Sequence, residues 1–130
     1  MADRSPLVAA GAINAAIAVA AGAFAAHGLR ERLEPRALEV FETAARYQMY
    51  HALALILAGV MTARGARVAG WLFQAGIIVF SGSLYALALA DVKALGAITP
   101  IGGLAFLAGW LVLAWSALGR SSRIAAATPS

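Results

Sequence analysis

Residues 68–90 read VAGWLFQAGIIVFSGSLYALALA, a run with no Asp, Glu, Lys or Arg. As a helix at about 1.5 Å per residue, such a run crosses a hydrocarbon core roughly 30 Å thick. Three more charge-free runs lie around it: Pro6–Ala26 of 21 residues, Tyr47–Ala63 of 17 and Ala94–Gly119 of 26. Together they predict four transmembrane helices and little chain outside the bilayer. The expected fold is all-α, an integral-membrane antiparallel four-helix bundle. It forms a single domain over residues 1–119, with a flexible tail over 120–130.

Composition agrees. The chain is 62% hydrophobic and 12% charged, whereas soluble domains carry about 25% charged residues. A water-soluble fold of 130 residues cannot hide that much apolar surface. The net charge of +4 comes from a few arginines that flank helices and do not alternate with aromatics. That pattern indicates membrane anchoring, not nucleic-acid binding. With no cysteine, disulfides, thiolate catalysis and cysteine-ligated metals are excluded.

The expected boundaries follow from local signals. The first helix spans about 6–26, with Pro6 in its first turn and Gly28 as a left-handed stop after His27. Gly11, Ala15, Gly22 and Ala26 form a ridge of small residues suited to close helix contact. Arg4 ahead of an apolar run, and Ala23-Phe24-Ala25 at its end, resemble a cleavable signal. The run exceeds the roughly 7–15 residues of a signal core, so an uncleaved helix is expected.

Residues 30–46 are the only sizeable polar stretch. Pro35 opens a helical pattern in which Leu38, Phe41, Ala45 and Met49 share a face. Glu42 and Arg46 form an i,i+4 pair in the favourable order. An amphipathic interfacial helix is expected over about 35–46, running into a second transmembrane helix over 47–63. Arg64–Arg67 then form a tight turn, helix three spans 68–90, and Asp91–Lys93 turn back. Helix four spans about 99–118, with Thr99 as N-cap and Pro100 at its first position.

Orientation is nearly balanced. One face carries Arg4, Arg64, Arg67, Arg120 and Arg123; the other carries Arg30, Arg32, Arg36, Arg46 and Lys93. The paired arginines of the hairpin and of the tail favour cytoplasmic N- and C-termini.

Four segments carry a resemblance. They are Gly22–Leu29 (GAFAAHGL), Tyr47–Leu55 (YQMYHALAL), Phe80–Tyr85 (FSGSLY), and Ile98–Gly103 (ITPIGG) followed by Gly109-Trp110. In this order they resemble domain-of-unknown-function family 423, which includes YgdD-like bacterial inner-membrane proteins. Ala25 departs from the family's pattern, which often has glycine there. The resemblance implies a four-helix protein of the inner membrane and carries over no substrate, cofactor or catalytic residue.

The polar residues inside the runs fall unevenly. His27, Gln48, His51, Ser81, Ser83, Tyr85 and Thr99 all lie toward the face of the loop joining helices one and two. The other half holds mainly Gln74, with Asn14 near mid-depth. Polar groups in lipid face a bundle interior or a wet cavity, so a polar pocket opening toward that loop is expected. Each residue also has a plainer reading. His27 caps a helix end. His51, one turn after Tyr47, makes an interhelical hydrogen bond. Ser81 and Ser83 point about 200° apart and bond backbone carbonyls or neighbouring helices. Thr99 caps helix four. Trp71, Trp110 and Trp115 are belt or packing residues.

Two histidines without a matched carboxylate do not make a metal site, and no cofactor or nucleotide motif is present. No catalytic constellation is visible, so no enzymatic activity is expected. Two function classes remain. One is a structural or partner-binding component, able to form a homo-oligomer in the bilayer. The other is a small-solute, ion or lipid-handling protein that uses the loop-side pocket.

Overall fold

The structure, a computed structural model, describes residues 5–127. It is helical throughout. Helix α1 (Pro6–Phe24) continues through a π turn, Ala25–Leu29. Helix α2 covers Pro35–Val60. Helix α3 (Arg64–Gly76) passes through a second π turn, Ile77–Ser81, into α4 (Gly82–Ala90). A 3-10 turn, Lys93–Ala97, leads to α5 (Thr99–Ala127). Three stretches are long and apolar enough to cross a membrane: Pro6–Leu29, Arg64–Ala90 and Lys93–Gly119, of 24, 27 and 27 residues.

The connections are short, so successive rods run antiparallel. Helix α2 packs on α1 along one side and on the α3–α4 rod along the other, and α5 packs on that rod. The buried stripe of α1 is Leu7, Gly11, Asn14 and Ala18, spaced by three and four. Opposite them lie Ile13, Ile17 and Val19, exposed as lipid-facing residues are. Two apolar clusters form the core. One gathers Leu7, Leu55, Phe73, Phe106 and Leu113; the other gathers Ala25, Leu29, Phe41 and Ala88.

Small residues set the helix spacing. A Cβ at Gly11 would stand 2.6 Å from the Ala52 carbonyl of α2. On α5, Gly102, Gly109 and Ser116 recur every seven residues and meet Phe80, Phe73 and Gly65 of the neighbouring rod. A seven-residue seam is the left-handed geometry common in membrane bundles. Gly102 is the tightest point, because a Cβ there would strike the backbone nitrogen of Phe80.

Several expectations are corrected. The first helix ends at Leu29, not Ala26, and Gly28 is not left-handed: Asp91 alone among the described residues has positive φ, 54°. Within the π turn Ala25 and Leu29 are the buried residues. Residues 35–46 run without a break into 47–60, as the expected combined element does, and Phe41, Ala44 and Ala45 are buried against the bundle. Glu42 and Arg46 are not paired; the ion pair among the described residues is Arg36–Glu39, at 3.8 Å. The Arg64–Arg67 segment is the first turn of α3, not a loop. Of the Gly-Ala ridge on α1, Gly22 marks no close approach: a Cβ added there would meet no neighbouring element within 4 Å. Helix α5 runs to Ala127, so the tail expected to be flexible from 120 is helical up to there, and 128–130 lie outside the described residues.

Candidate functional site

The middle of the bundle holds a chain of four hydrogen-bonded side chains. Tyr85 Oη donates to Gln48 Oε1 at 2.7 Å. Gln48 Nε2 donates to Asn14 Oδ1 at 3.0 Å. Asn14 Nδ2 donates to Gln74 Oε1 at 2.9 Å and to the Ala10 carbonyl at 2.9 Å. The Ala10 carbonyl fixes the direction of the whole chain. A carbonyl only accepts, so the Asn14 amide nitrogen must face it. Asn14 therefore offers oxygen to Gln48, which must answer with nitrogen. That turns the Gln48 oxygen toward Tyr85, whose hydroxyl must donate. The chain links α1, α2 and the continuous α3–α4 rod, whose two members, Gln74 and Tyr85, stand roughly 16 Å apart along its axis.

His51 sits beside it in an aromatic box. Its ring is 4% exposed and stacks on Phe106 with centroids 3.5 Å apart and planes 7° apart. Phe73 and Trp110 close the sides at 5.6 and 5.9 Å. Nδ1 lies 2.7 Å from the Tyr47 carbonyl, which can only accept, so Nδ1 carries hydrogen. The indole N–H of Trp110 donates to Nε2 at 3.1 Å, so Nε2 carries none. Both ring nitrogens are therefore occupied by this neutral tautomer. A metal or a transferable proton at Nε2 would have to displace the indole. Among the described residues, no group of three His, Cys, Asp or Glu side chains can hold a metal ion.

The serines serve different neighbours, as their spacing requires. Ser81, at the end of the second π turn, donates across to the Ala44 carbonyl of α2 at 2.9 Å. Ser83 lies 2.6 Å from Thr99 Oγ1, and donates to the Phe80 carbonyl at 3.0 Å. Thr99 also approaches the Leu95 carbonyl, at 3.3 Å. Two hydroxyl hydrogens cannot serve all three contacts, and the longest yields. Thr99 thus donates to Ser83, and its role is to fasten α5 to α4 rather than to cap its own helix.

The seven residues expected to share a pocket are therefore distributed. Gln48 and Tyr85 meet directly, and Ser83 meets Thr99. Ser81 and His51 each bond separate partners. His27 is exposed on the π turn, away from the others. Neither of the two grooves described below is lined by any of the seven. Asn14, Gln74 and Trp110 complete the network and lay outside the expected set. The signal for the first two was present, since an amide in a charge-free run is costly in lipid unless partnered. Gln74 seemed isolated because its partner is on α1, and no sequence pattern fixes the register of α1 against α3.

One consequence is measurable. Diethyl pyrocarbonate, which acylates accessible imidazole nitrogen, is expected to modify His27 and spare His51. In Trp110→Phe the uncovered Nε2 of His51 is expected to react as well. Equal modification of both histidines in the unaltered protein would contradict this geometry.

Comparison with known proteins places the chain. The family model described as "Protein of unknown function (DUF423)" matches residues 21–103. The chain belongs to that family. It is 54% identical over 106 residues to UPF0382 membrane protein SAB0533 of Staphylococcus aureus (strain bovine RF122 / ET3-1), covering 79% of this chain and 87% of the relative. It is 44% identical over 113 residues to UPF0382 membrane protein YwdK of Bacillus subtilis (strain 168), covering 83% and 92%. No solved structure matches. DUF423 membership and the three long apolar helices make this a multi-pass membrane protein of an uncharacterised family. The matched residues 21–103 include Gln48, Gln74 and Tyr85 of the polar chain, and not Asn14.

Proposed function

We propose that this chain is a structural or partner-binding component of the bacterial inner membrane, with a polar interior that holds its helices together. One observation carries the reading: the polar side chains inside the bundle bond one another or backbone. Among the described residues no buried side-chain nitrogen or oxygen lacks a partner. A site that handles solutes or protons needs polar groups free to exchange partners. Here each side chain of the Tyr85–Gln48–Asn14–Gln74 chain has a partner, and both ring nitrogens of His51 are engaged. The partners of Ser81, Ser83, Tyr85 and Thr99, none of them a free base, support a non-enzymatic reading.

The finer topology belongs to this proposal. Helix α2 lies alongside α1 from Leu55, near Leu7, to Phe41, near Leu29, so it crosses as the fourth span. Arg36, Glu39, Glu42 and Arg46 then sit at its headgroup end. The hairpin arginines favour cytoplasmic termini. A C-terminal reporter that works only outside the cytoplasm would reverse that assignment. Exposed Leu104, Leu107, Leu111 and Leu118 on α5 face lipid or a second copy in a homo-oligomer.

The test compares assembly with phenotype. His51→Leu and Ser83→Ala each remove interhelical hydrogen bonds worth about 0.6 kcal/mol, at most about 1.7. Both variants are expected to melt at lower temperature in detergent, and any phenotype should follow their reduced abundance in the membrane. Variants that accumulate and melt like the unaltered protein, yet fail to complement a deletion strain, would contradict the proposal and favour solute handling.

A further inference from the structure

The largest groove described, about 1270 Å³, lies on the face opposite the α1–α2 loop. The start of α1, the end of α2 and the start of α3 form its walls. Val8 and Ala12 line one side, and Arg64, Arg67 and Trp71 another. Spacings of three and four place those last three on one face of α3. All three are exposed, Trp71 at 48%. Among the described residues no Asp or Glu lines the groove, and the ion pair found among them lies elsewhere, at Arg36–Glu39. Two positive charges therefore stand beside the apolar side chains of Val8, Ala12 and Trp71, with no acid among the described lining residues.

The groove's dimensions restrict its ligand. Sites that enclose small molecules measure roughly 300–1,000 Å³. This groove is larger and open, so a small solute would leave most of its apolar wall uncovered. An amphiphile covers both parts. Exposed Trp71 beside the arginines marks the headgroup level, and basic pockets between membrane helices suit anionic head groups. The smaller groove on the other face, about 490 Å³, provides a contrast. Arg36 and Arg46 there are matched by Glu39 and Glu42, so it offers no net attraction for an anion.

We propose that the groove binds an anionic phospholipid, with its phosphate at Arg64 and Arg67 and an acyl chain along Val8, Ala12 and Trp71. The site lies on the surface that the scaffold reading leaves available, and it does not use the internal polar chain.

The test titrates the full-length protein in neutral detergent with phosphatidylglycerol, phosphatidylethanolamine and inorganic phosphate, each separately, following bound lipid by native mass spectrometry. Saturable binding of phosphatidylglycerol, and little of phosphatidylethanolamine, is expected. Arg64→Gln with Arg67→Gln should weaken it about 30-fold, from roughly a fivefold effect per arginine. Ala12→Trp, which fills the groove and keeps both charges, should also weaken it. Arg30→Gln with Arg32→Gln, on the other face, should not. Equal binding of both lipids would overturn the proposal. So would an unchanged affinity in Ala12→Trp, or displacement of the lipid by millimolar inorganic phosphate, which would make the ligand a soluble anion. Because the polar chain is untouched in these variants, their melting temperatures report separately on the scaffold reading.

Discussion

Gly102→Ala is expected to cost about 2–3 kcal/mol of stability, the upper range for overpacking, although it adds one methyl group. That methyl would strike the backbone nitrogen of Phe80, where α5 crosses the second π turn. A flexible side chain can swing away from a clash, but backbone cannot, so α5 must move off its neighbour. The shift would also disturb Ser83–Thr99, held at 2.6 Å near the same crossing. Gly82→Ala is the control. A Cβ there meets nothing within 4 Å, and the helix gains at most about 0.5–1 kcal/mol from the lost glycine freedom. Unfolding in mixed micelles by increasing SDS measures both. Changes of the same sign and size at the two positions would mean that α5 does not approach the rod as described.

Gln48→Leu is expected to cost about 2–6 kcal/mol, because it leaves one buried and one half-buried group unpaired at roughly 1–3 kcal/mol each. They are Tyr85 Oη and Asn14 Oδ1. The leucine fills similar space, so the loss is polar and not a cavity. A double-mutant cycle isolates the contact. Tyr85→Phe alone strands the Gln48 oxygen, whereas in the double variant neither partner remains to be stranded. The two changes are thus expected to be less than additive, with a coupling near 0.6 kcal/mol and no more than about 1.7. Strict additivity would mean that Tyr85 and Gln48 are not bonded in the membrane.

The rods themselves were legible because the lipid solvent makes them so. An uncharged run of more than about 17 residues has few alternatives, and 68–90 is helical throughout. The opposed directions of Ser81 and Ser83 followed from helical periodicity alone, and their separate partners, Ala44 and Thr99, agree. The charges in the first half of α2 were legible, and its packing against the bundle less so. Its other face, with Phe41, Ala44, Ala45 and Gln48 spaced by three and four, is a buried stripe. A charged stripe toward headgroups and a packed stripe toward the bundle coexist on one helix.

The π turns at 25–29 and 77–81 could not be read. They are irregularities of the helical path that no local residue type demands. The polar site was only half legible for the same reason. Which amides carry an internal cost was plain from Asn14, Gln48 and Gln74; who satisfies whom depends on register between helices distant in sequence. His27 shows the reverse error: an unusual residue type at a helix end, here exposed and without a structural neighbour in the site.

The central claim is that these polar side chains are spent inside a dry, membrane-spanning bundle. Because the chain has no native cysteine, single replacements report cleanly. Gln48→Cys, Ser83→Cys and Gln74→Cys, each in native membrane vesicles, would be treated with a charged, membrane-impermeant maleimide, alongside Arg30→Cys at the exposed loop. The account predicts labelling of the loop position and none of the three interior ones until the bundle is unfolded in SDS. Labelling of the interior positions in intact membranes, at a rate near that of the loop, would reveal a water-filled site and contradict it.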